Sequence, residues 1–591
     1  MWAVLGAVSI SFHLWLIFSG LIPNLVSRPI HLALALPWVF IFMAGTRWQR
    51  ISGYLLCGLG LFICSWIAWN HSTLGDQYGY LNGRIQLILA IGLLIVVLEL
   101  ARRAIGWPLP TIASLALLYG LYGQHIRGEF GFADIPVSSL LGTLTITEGG
   151  VWGQLMGISA NTVAVFVIFG AVLNAGEAGR GFMNIATATG GRLRGGAAKV
   201  SVLASALFGS ISGSASANVA STGAITLPAM KRLGYPKALA GATEAVASSG
   251  GQIMPPLMGA GAFVMVELTG VPYTGIISAA ILPALLYFAA VWMGIDGFSR
   301  RFNLKPISKD LLPNTKTVLI TTAFFAVPFG VLLSGMFIYE YTPQFAACLA
   351  ILSAAVLLIT NAEFQFSTSG TLARVRKACL GAGQQIATIA AIIACASIII
   401  GVLGLTGLGI KITSLILSAS GGQLWPALGL TALACLLLGM EVPTTAAYVI
   451  CVSVAGPALI ELGVQPLQAH LFVFWFALLS TITPPVCGAV FIAAGIVQEN
   501  WLKVAGYAML LGIGLYLIPL SMIANPALIK LTDMPAQALL SFLKVLLGLF
   551  LVAYISITPS SVWRRLVLLP IALCVLFWPL PDSIQTLRQI S

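Results

Sequence analysis

The chain has 591 residues, of which 59% are hydrophobic and 8% charged, against roughly a quarter charged in an ordinary soluble domain. That composition excludes a soluble fold. The formal net charge of +12 does not mark a nucleic-acid binder either, because the basic residues fall in short clusters between apolar stretches rather than along one face.

The opening segment, MWAVLGAVSISFHLWLIFSG, has no Lys or Arg ahead of its apolar run and no small-residue cleavage site, so it is expected to be kept as a first membrane span. Spans are predicted near 3–20, 30–44, 51–69 and 85–102, and a fifth near 111–123. They must be helical, because lipid cannot satisfy open backbone groups. Arg47 and Arg50 follow span two, and Arg102 and Arg103 follow span four, so positive charge marks alternate loops and places the N-terminus in the cytoplasm.

The same rule puts four later clusters inside: Arg192, Arg194 and Lys199; Lys231, Arg232 and Lys237; Arg300, Arg301, Lys305 and Lys309; Arg374, Arg376 and Lys377. Between Lys199 and Lys231 the chain is too short and too rich in Ser and Gly for two crossings, and a re-entrant hairpin fits. Crossings follow near 238–266, 275–295, 317–337, 343–360 and 380–403, and another apolar stretch covers 501–523. Two final spans, near 536–557 and 562–580, form a C-terminal extension interrupted by Lys544. Nine scattered cysteines form neither a CxxC pair nor a metal-ligand cluster, and packing accounts for them.

An internal repeat runs through this pattern. Pro228-Ala-Met-Lys-Arg-Leu-Gly234 matches Pro457-Ala-Leu-Ile-Glu-Leu-Gly463 at a constant offset of 229 residues. The same offset carries Ser216 onto Thr445, Pro255-Pro256 onto Pro484-Pro485, and Gly259 onto Gly488. The five intervening crossings, an odd number, invert the second unit. Inverted repeats with interrupted helices are the architecture of secondary transporters, with substrate and ions held at the breaks.

Each repeat has two breaks. In the first they are GSISGSASANVAST (209–222) and SSGGQIMPP (248–256); in the second, GMEVPTT (439–445) and STITPP (480–485). Proline removes a helix donor and frees carbonyls. Those carbonyls and the neighbouring hydroxyls suit a small cation, while half-helix N-termini suit an anion. Small residues also simply let membrane helices pack closely, which explains most single serines. Four polar breaks in register favour function, since irregular backbone at membrane depth survives only inside protein or around a cavity.

Glu244 lies about one turn before Ser248, where an acid is costly unless paired, protonated or hydrated. It is either an ion-coupling group, carrying a proton, or a protonated acid bridging helices. Glu441 is either a cation ligand at the second hairpin or a solvated residue at a cavity mouth. Lys411, His470 and Glu267 fall near span ends, where snorkelling is the ordinary explanation. No base stands beside a candidate Ser, so an enzyme is not expected.

At the GSISGSASANVAST hairpin with SSGGQIMPP, and at PTTAAY with HLFVFWFALLSTITPP, the chain resembles the membrane component of the tripartite ATP-independent periplasmic (TRAP) transporters, specifically the fused permease of the TAXI type. The resemblance covers nearly the whole chain. It implies an all-α polytopic inner-membrane protein of bacteria, an inverted-repeat elevator-type transporter with two re-entrant hairpins and two broken helices. Residues 1–107 would be a small-subunit-like four-helix scaffold. Residues 108–525 would be the large-subunit-like region, with hairpins near 199–231 and 424–460, and 526–591 would be accessory spans.

The resemblance further implies a periplasmic TAXI-type binding protein that delivers an organic anion, a carboxylate such as a dicarboxylate, 2-oxoglutarate or glutamate. The driving force would be a Na⁺ or H⁺ gradient, with no cofactor. By position, Ser212, Ser214, Ser216, Asn218, Ser248, Ser249 and Gly250 would build one cation site, and Thr444, Thr445, Ser480, Thr481 and Thr483 its partner. Ser216, Asn218, Gln252, Thr445 and Thr483 would meet the substrate, and Na⁺ would be the metal at the cation sites. Glu441 stands where the family has a small residue, which sets the second site apart. The competing readings are a carrier that needs no binding protein, and a channel, since polar hairpins also line selectivity filters.

Overall fold

The computed structural model describes residues 1–440, 442–558 and 561–578, so Glu441 lies outside the described residues. Among the described residues, nine helices are long and apolar enough to cross a membrane. The chain is a multi-pass, all-helical membrane protein. Its backbone contacts divide it into two units: Met1–Gly176 with Val327–Leu415, and Glu177–Ala326 with Ile416–Ser591.

The first unit is organised on the helix Thr368–Thr406, whose 39 residues extend about 58 Å, well past a hydrocarbon core of about 30 Å. Ser367 caps its start and Gly407, with φ +66°, ends it. Trp2–Phe18, Asn24–Pro37, Gly83–Ile105, Pro108–Tyr122 and Ala164–Ala175 pack around it. Small residues permit the approach: a Cβ on Gly6 would overlap the Cys379 carbonyl, and one on Gly383 the Trp38 indole.

Two charges read as topology markers, Arg102 and Arg103, are also structural in this unit. Glu99 accepts hydrogen bonds from Arg102 Nε at 2.6 Å and Arg103 Nε at 2.7 Å. Arg103 also donates to Gln49 O at 2.6 Å and Ser52 Oγ at 2.8 Å, tying Gly83–Ile105 to Arg47–Trp69. Charge inside a membrane protein is tolerated when it is paired in this way. Lys411 donates to Gly131 O at 2.6 Å and lies over the Phe132 ring, so its ammonium is held by protein.

The second unit holds both hairpins and both broken helices. The first hairpin's arms, Gly196–Ser212 and Ala215–Arg232, have 17 and 18 residues, about 26 Å each against a hydrocarbon core of about 30 Å. The chain reverses through Gly213, whose φ of +60° costs a glycine little, and Ser214 caps the second arm. The second hairpin has arms Leu424–Leu438 and Thr444–Glu461. The broken helices are Lys237–Gly250 with Gly259–Thr269, and Pro466–Leu479 with Gly488–Val497. Both interruptions contain the Pro-Pro pairs that the sequence singles out, but the helices already end before them, at Gly250 and Leu479.

Some expectations need correction. The apolar stretch 501–523 is two helices, Trp501–Leu511 and Ile513–Ala524, bent by 40° at Gly512, a residue that leaves the backbone free to turn. A 12-residue helix, Leu408–Ala419, precedes the second hairpin and was not anticipated. His470 does not snorkel: it is buried within Pro466–Leu479 and shares a 2.8 Å hydrogen bond with the Tyr448 hydroxyl. Glu267 is exposed, as expected for a span end.

The C-terminal helices Pro535–Ile557 and Val562–Phe577 pack together, and Lys544 is part of the joint rather than an interruption. Its Nζ donates to Asn525 Oδ1 at 2.6 Å and to the Trp578 carbonyl. Lys544→Met keeps the stem but leaves those oxygens without their donor. It is expected to cost about 1–3 kcal/mol, read as a lower thermal midpoint in detergent, and an unchanged midpoint would contradict the assignment.

Candidate functional site

Glu244 is fully buried on the first half of the first broken helix, and its carboxyl is surrounded by hydroxyls. Ser201 Oγ donates to Oε2 at 2.7 Å, Ser248 Oγ to Oε1 at 3.2 Å, and Ser205 Oγ to Oε1 at 3.5 Å. Thr222 donates to Oε1 and Thr226 to Oε2. Every one of these side chains is buried. Among the described residues no Lys or Arg pairs with the carboxyl.

The cage is assembled by helix periodicity. Ser201 and Ser205 are four apart on one hairpin arm, Thr222 and Thr226 four apart on the other, and Glu244 and Ser248 four apart on the broken helix. Residues at that spacing lie one above the other on a single face. Three such faces meet, and the carboxyl sits between them.

Each hydroxyl has one proton to place. Thr222 Oγ1 also lies 2.8 Å from Asn218 O, and Thr226 Oγ1 lies 3.0 Å from Thr222 O. With a charged carboxylate, the threonine protons point at it. With a neutral acid, a threonine can turn its proton to the carbonyl of its own helix and accept the acid's proton. The cage therefore satisfies its hydrogen bonds in both states.

One turn further along, Asn218 Nδ2 donates to Ser205 O at 2.9 Å and Ser248 O at 3.2 Å. These two bonds fix the amide's orientation and leave Oδ1 buried with no hydrogen-bond partner. Backbone meets backbone beside it: a Cβ on Gly209 would overlap the Cα of Gly251, and the reverse holds. At the hairpin tip, a Cβ on Gly213 would sit 2.9 Å from the Gly259 Cα.

The second break lies against the first. Ser249 Oγ and Thr481 Oγ1 are 3.0 Å apart, joining the two repeats through their hydroxyls. Ser480 Oγ donates to Gly439 O at 3.0 Å, fixing the second hairpin's tip to the second broken helix. Thr483 Oγ1 is 2.7 Å from the Tyr516 hydroxyl. The space that a Cβ on Gly488 would fill is 3.8 Å from Ser216 Oγ, so the first hairpin reaches the second break.

Of the residues named from sequence, the structure brings together Glu244, Asn218 and Ser248, and joins Ser249 to Thr481. Gly250 is buried against the Tyr287 ring, and Gln252 is buried in the 3₁₀ turn Gly251–Ile253. Ser212 and Ser214 bond within their own turn. Thr444 is buried and Thr445 half-buried at the start of the second hairpin's second arm. Sequence reasoning missed Ser201, Ser205, Thr222, Thr226 and Tyr516 as members, although Thr222 closes the first hairpin motif. The four-residue spacing of the polar side chains was the signal available.

The assembled groups are hard oxygens: hydroxyls, one unpartnered amide oxygen, helix-end carbonyls and one carboxyl. Such a set can hold a small monovalent cation, and the carboxyl can hold a proton. Among the described residues no group of His, Cys, Asp and Glu has the composition of a transition-metal site.

Residues 92–537 match the family described as "Tripartite ATP-independent periplasmic transporter, DctM component". Similar proteins include a C4-dicarboxylate TRAP transporter large permease protein of Pseudomonas aeruginosa, 26% identical over 338 residues, 56% of this chain and 76% of that one. An isethionate TRAP transporter permease protein, DctMQ, of Oleidesulfovibrio alaskensis is 24% identical over 398 residues, 66% of this chain and 61% of that one. A 2,3-diketo-L-gulonate TRAP transporter large permease protein of Escherichia coli is 23% identical over 339 residues, 57% of this chain and 77% of that one.

Proposed function

The chain belongs to the DctM-component family of tripartite ATP-independent periplasmic transporters, a family of permeases, and from that premise we propose that it takes up an organic anion using a cation gradient. The substrate is a carboxylate such as a dicarboxylate, 2-oxoglutarate or glutamate, delivered by a periplasmic binding protein of the TAXI type in the bacterial inner membrane. The substrates named for its relatives, C4-dicarboxylate, isethionate and 2,3-diketo-L-gulonate, are all organic anions, which supports the class.

The family match begins at residue 92, after three of the four N-terminal spans. We read 1–107 as a fused small-subunit-like scaffold, 108–525 as the large-subunit-like part and 526–591 as accessory spans; the match, 92–537, leaves the first three spans outside it. In the elevator mechanism, the hairpin-bearing helices carry the substrate. The N-terminus is cytoplasmic.

The observation that carries the coupling proposal is the cage around Glu244, whose hydrogen bonds close in both protonation states. Proton carriage at Glu244 is the first reading. A second reading, Na⁺ at Asn218, Ser248 and Ser249 with Thr481 nearby, is favoured by the unpartnered Asn218 Oδ1. Ser216, Gln252, Thr445 and Thr483 then face the substrate.

The deciding experiment is uptake of labelled carboxylates into proteoliposomes, with and without the cognate binding protein, under an imposed H⁺ or Na⁺ gradient. Accumulation only with the binding protein and the H⁺ gradient is expected. Equal uptake without the binding protein would replace this reading by a stand-alone carrier, and conduction without accumulation would replace it by a channel.

A further inference from the structure

On the side of the first hairpin away from the cage lies an open apolar groove of about 610 Å³. It is bordered by Val202 and Leu203 of the hairpin arm, Phe288 and Trp292 of Tyr273–Arg301, and Leu547 and Phe550 of Pro535–Ile557. Leu547 and Phe550 are 53% and 50% exposed. Two of the three bordering helices are long and apolar enough to span a membrane.

One end of the groove is charged. Lys199 lies one turn before Val202 and Leu203, and Asp296 one turn after Trp292. Lys199 Nζ is 3.1 Å from Asp296 Oδ1 and 5.0 Å from the centre of the Trp292 ring. Arg300 Nη2 is 3.1 Å from Asp296 Oδ2, and its side chain is 71% exposed. Two cations share one carboxylate, so the cluster keeps a net charge of +1, with the exposed guanidinium outermost. A Cβ on Gly297 would lie 3.0 Å from Ile557 Cγ2, so Pro535–Ile557 ends beside the Asp296 cluster. Arg301 and then, past Ile557, Arg564 and Arg565 add basic residues at that end.

We propose that this groove is a binding site for one anionic glycerophospholipid, its acyl chain lying between the three helices and its phosphate at the Lys199–Asp296–Arg300 cluster. An apolar groove open to the bilayer is filled by lipid chain rather than water. Basic pockets between spans on the cytoplasmic side, where the positive-inside pattern puts Arg300, select anionic headgroups. The site links the C-terminal extension to a hairpin arm that supplies Ser201 and Ser205 to the cage. It requires no particular substrate or coupling ion.

Native mass spectrometry of the full chain, titrated with phosphatidylglycerol and in parallel with phosphatidylcholine, tests it. Wild type is expected to retain phosphatidylglycerol preferentially. Arg300→Gln, at an exposed position, should weaken that retention about fivefold. Ala289→Trp, which fills the groove, should abolish it, with the thermal midpoint checking that the variant folds. Equal retention of both lipids, retention unchanged in Arg300→Gln, or a chain dimer in place of the lipid adduct would overturn the proposal.

Discussion

Glu244→Gln is expected to lower gradient-driven uptake more than tenfold while leaving the protein folded. The amide has nearly the carboxyl's shape, can accept from Ser201 and Thr226, and can donate to the oxygens of Thr222 or Ser248. Thr222, when it accepts, can turn its own proton to Asn218 O, already within reach. The stability change should therefore stay within about 1 kcal/mol. What glutamine cannot do is bind and release a proton, so the dependence of uptake on a pH gradient should vanish. Uptake and gradient dependence equal to wild type would remove Glu244 from coupling. In that case Asn218→Ala should abolish Na⁺-driven uptake instead, by removing the unpartnered amide oxygen.

Gly251→Ala is expected to be among the most damaging single-methyl additions in the chain. The new Cβ would meet the Gly209 backbone, with the Asn218 amide close by, and a backbone held in two packed helices cannot move aside as a flexible side chain can. The expected loss is about 3 kcal/mol or more, with uptake lost because the tie between hairpin and broken helix is pushed apart. Gly506→Ala is the internal control: it lies in Trp501–Leu511 with nothing within 4 Å of its Cβ position. Alanine there should be neutral or stabilising by up to about 1 kcal/mol. Thermal midpoints of the two variants in one detergent decide the matter, and equal midpoints would deny that Gly209 and Gly251 meet as described.

The positions of the crossings and breaks were legible because they depend on local properties. Run length of apolar residues set the spans, so the prediction of 51–69 became Arg47–Trp69 and that of 317–337 became Thr315–Phe337. Gly, Ser and Pro set the interruptions, and the 229-residue offset located the second pair once the first was seen. The bend at Gly512 was missed because a single glycine inside an apolar run is compatible with either a straight or a bent helix.

Which faces meet was not legible. Glu244 drew attention as a lone acid at membrane depth, but four of its five donors come from residues 18 to 43 positions away on two other helices. Nothing local fixes the rotation of those helices about their axes. The same holds for Arg103, whose partners at Gln49 and Ser52 lie a span away, and for Lys544, which looked like a flaw in a membrane helix until Asn525 and Trp578 stood beside it.

By itself the sequence determined that this chain is a membrane protein built on a repeat with polar breaks, because hydrophobic length and helix-breaking residues act within a few positions of themselves. Only the tertiary structure decided that three helix faces close a hydroxyl cage on Glu244, that Gly209 and Gly251 touch, and that a charged end crowns an apolar groove. Those depend on how helices far apart in the chain are packed and turned, and that is set by the fit of whole surfaces.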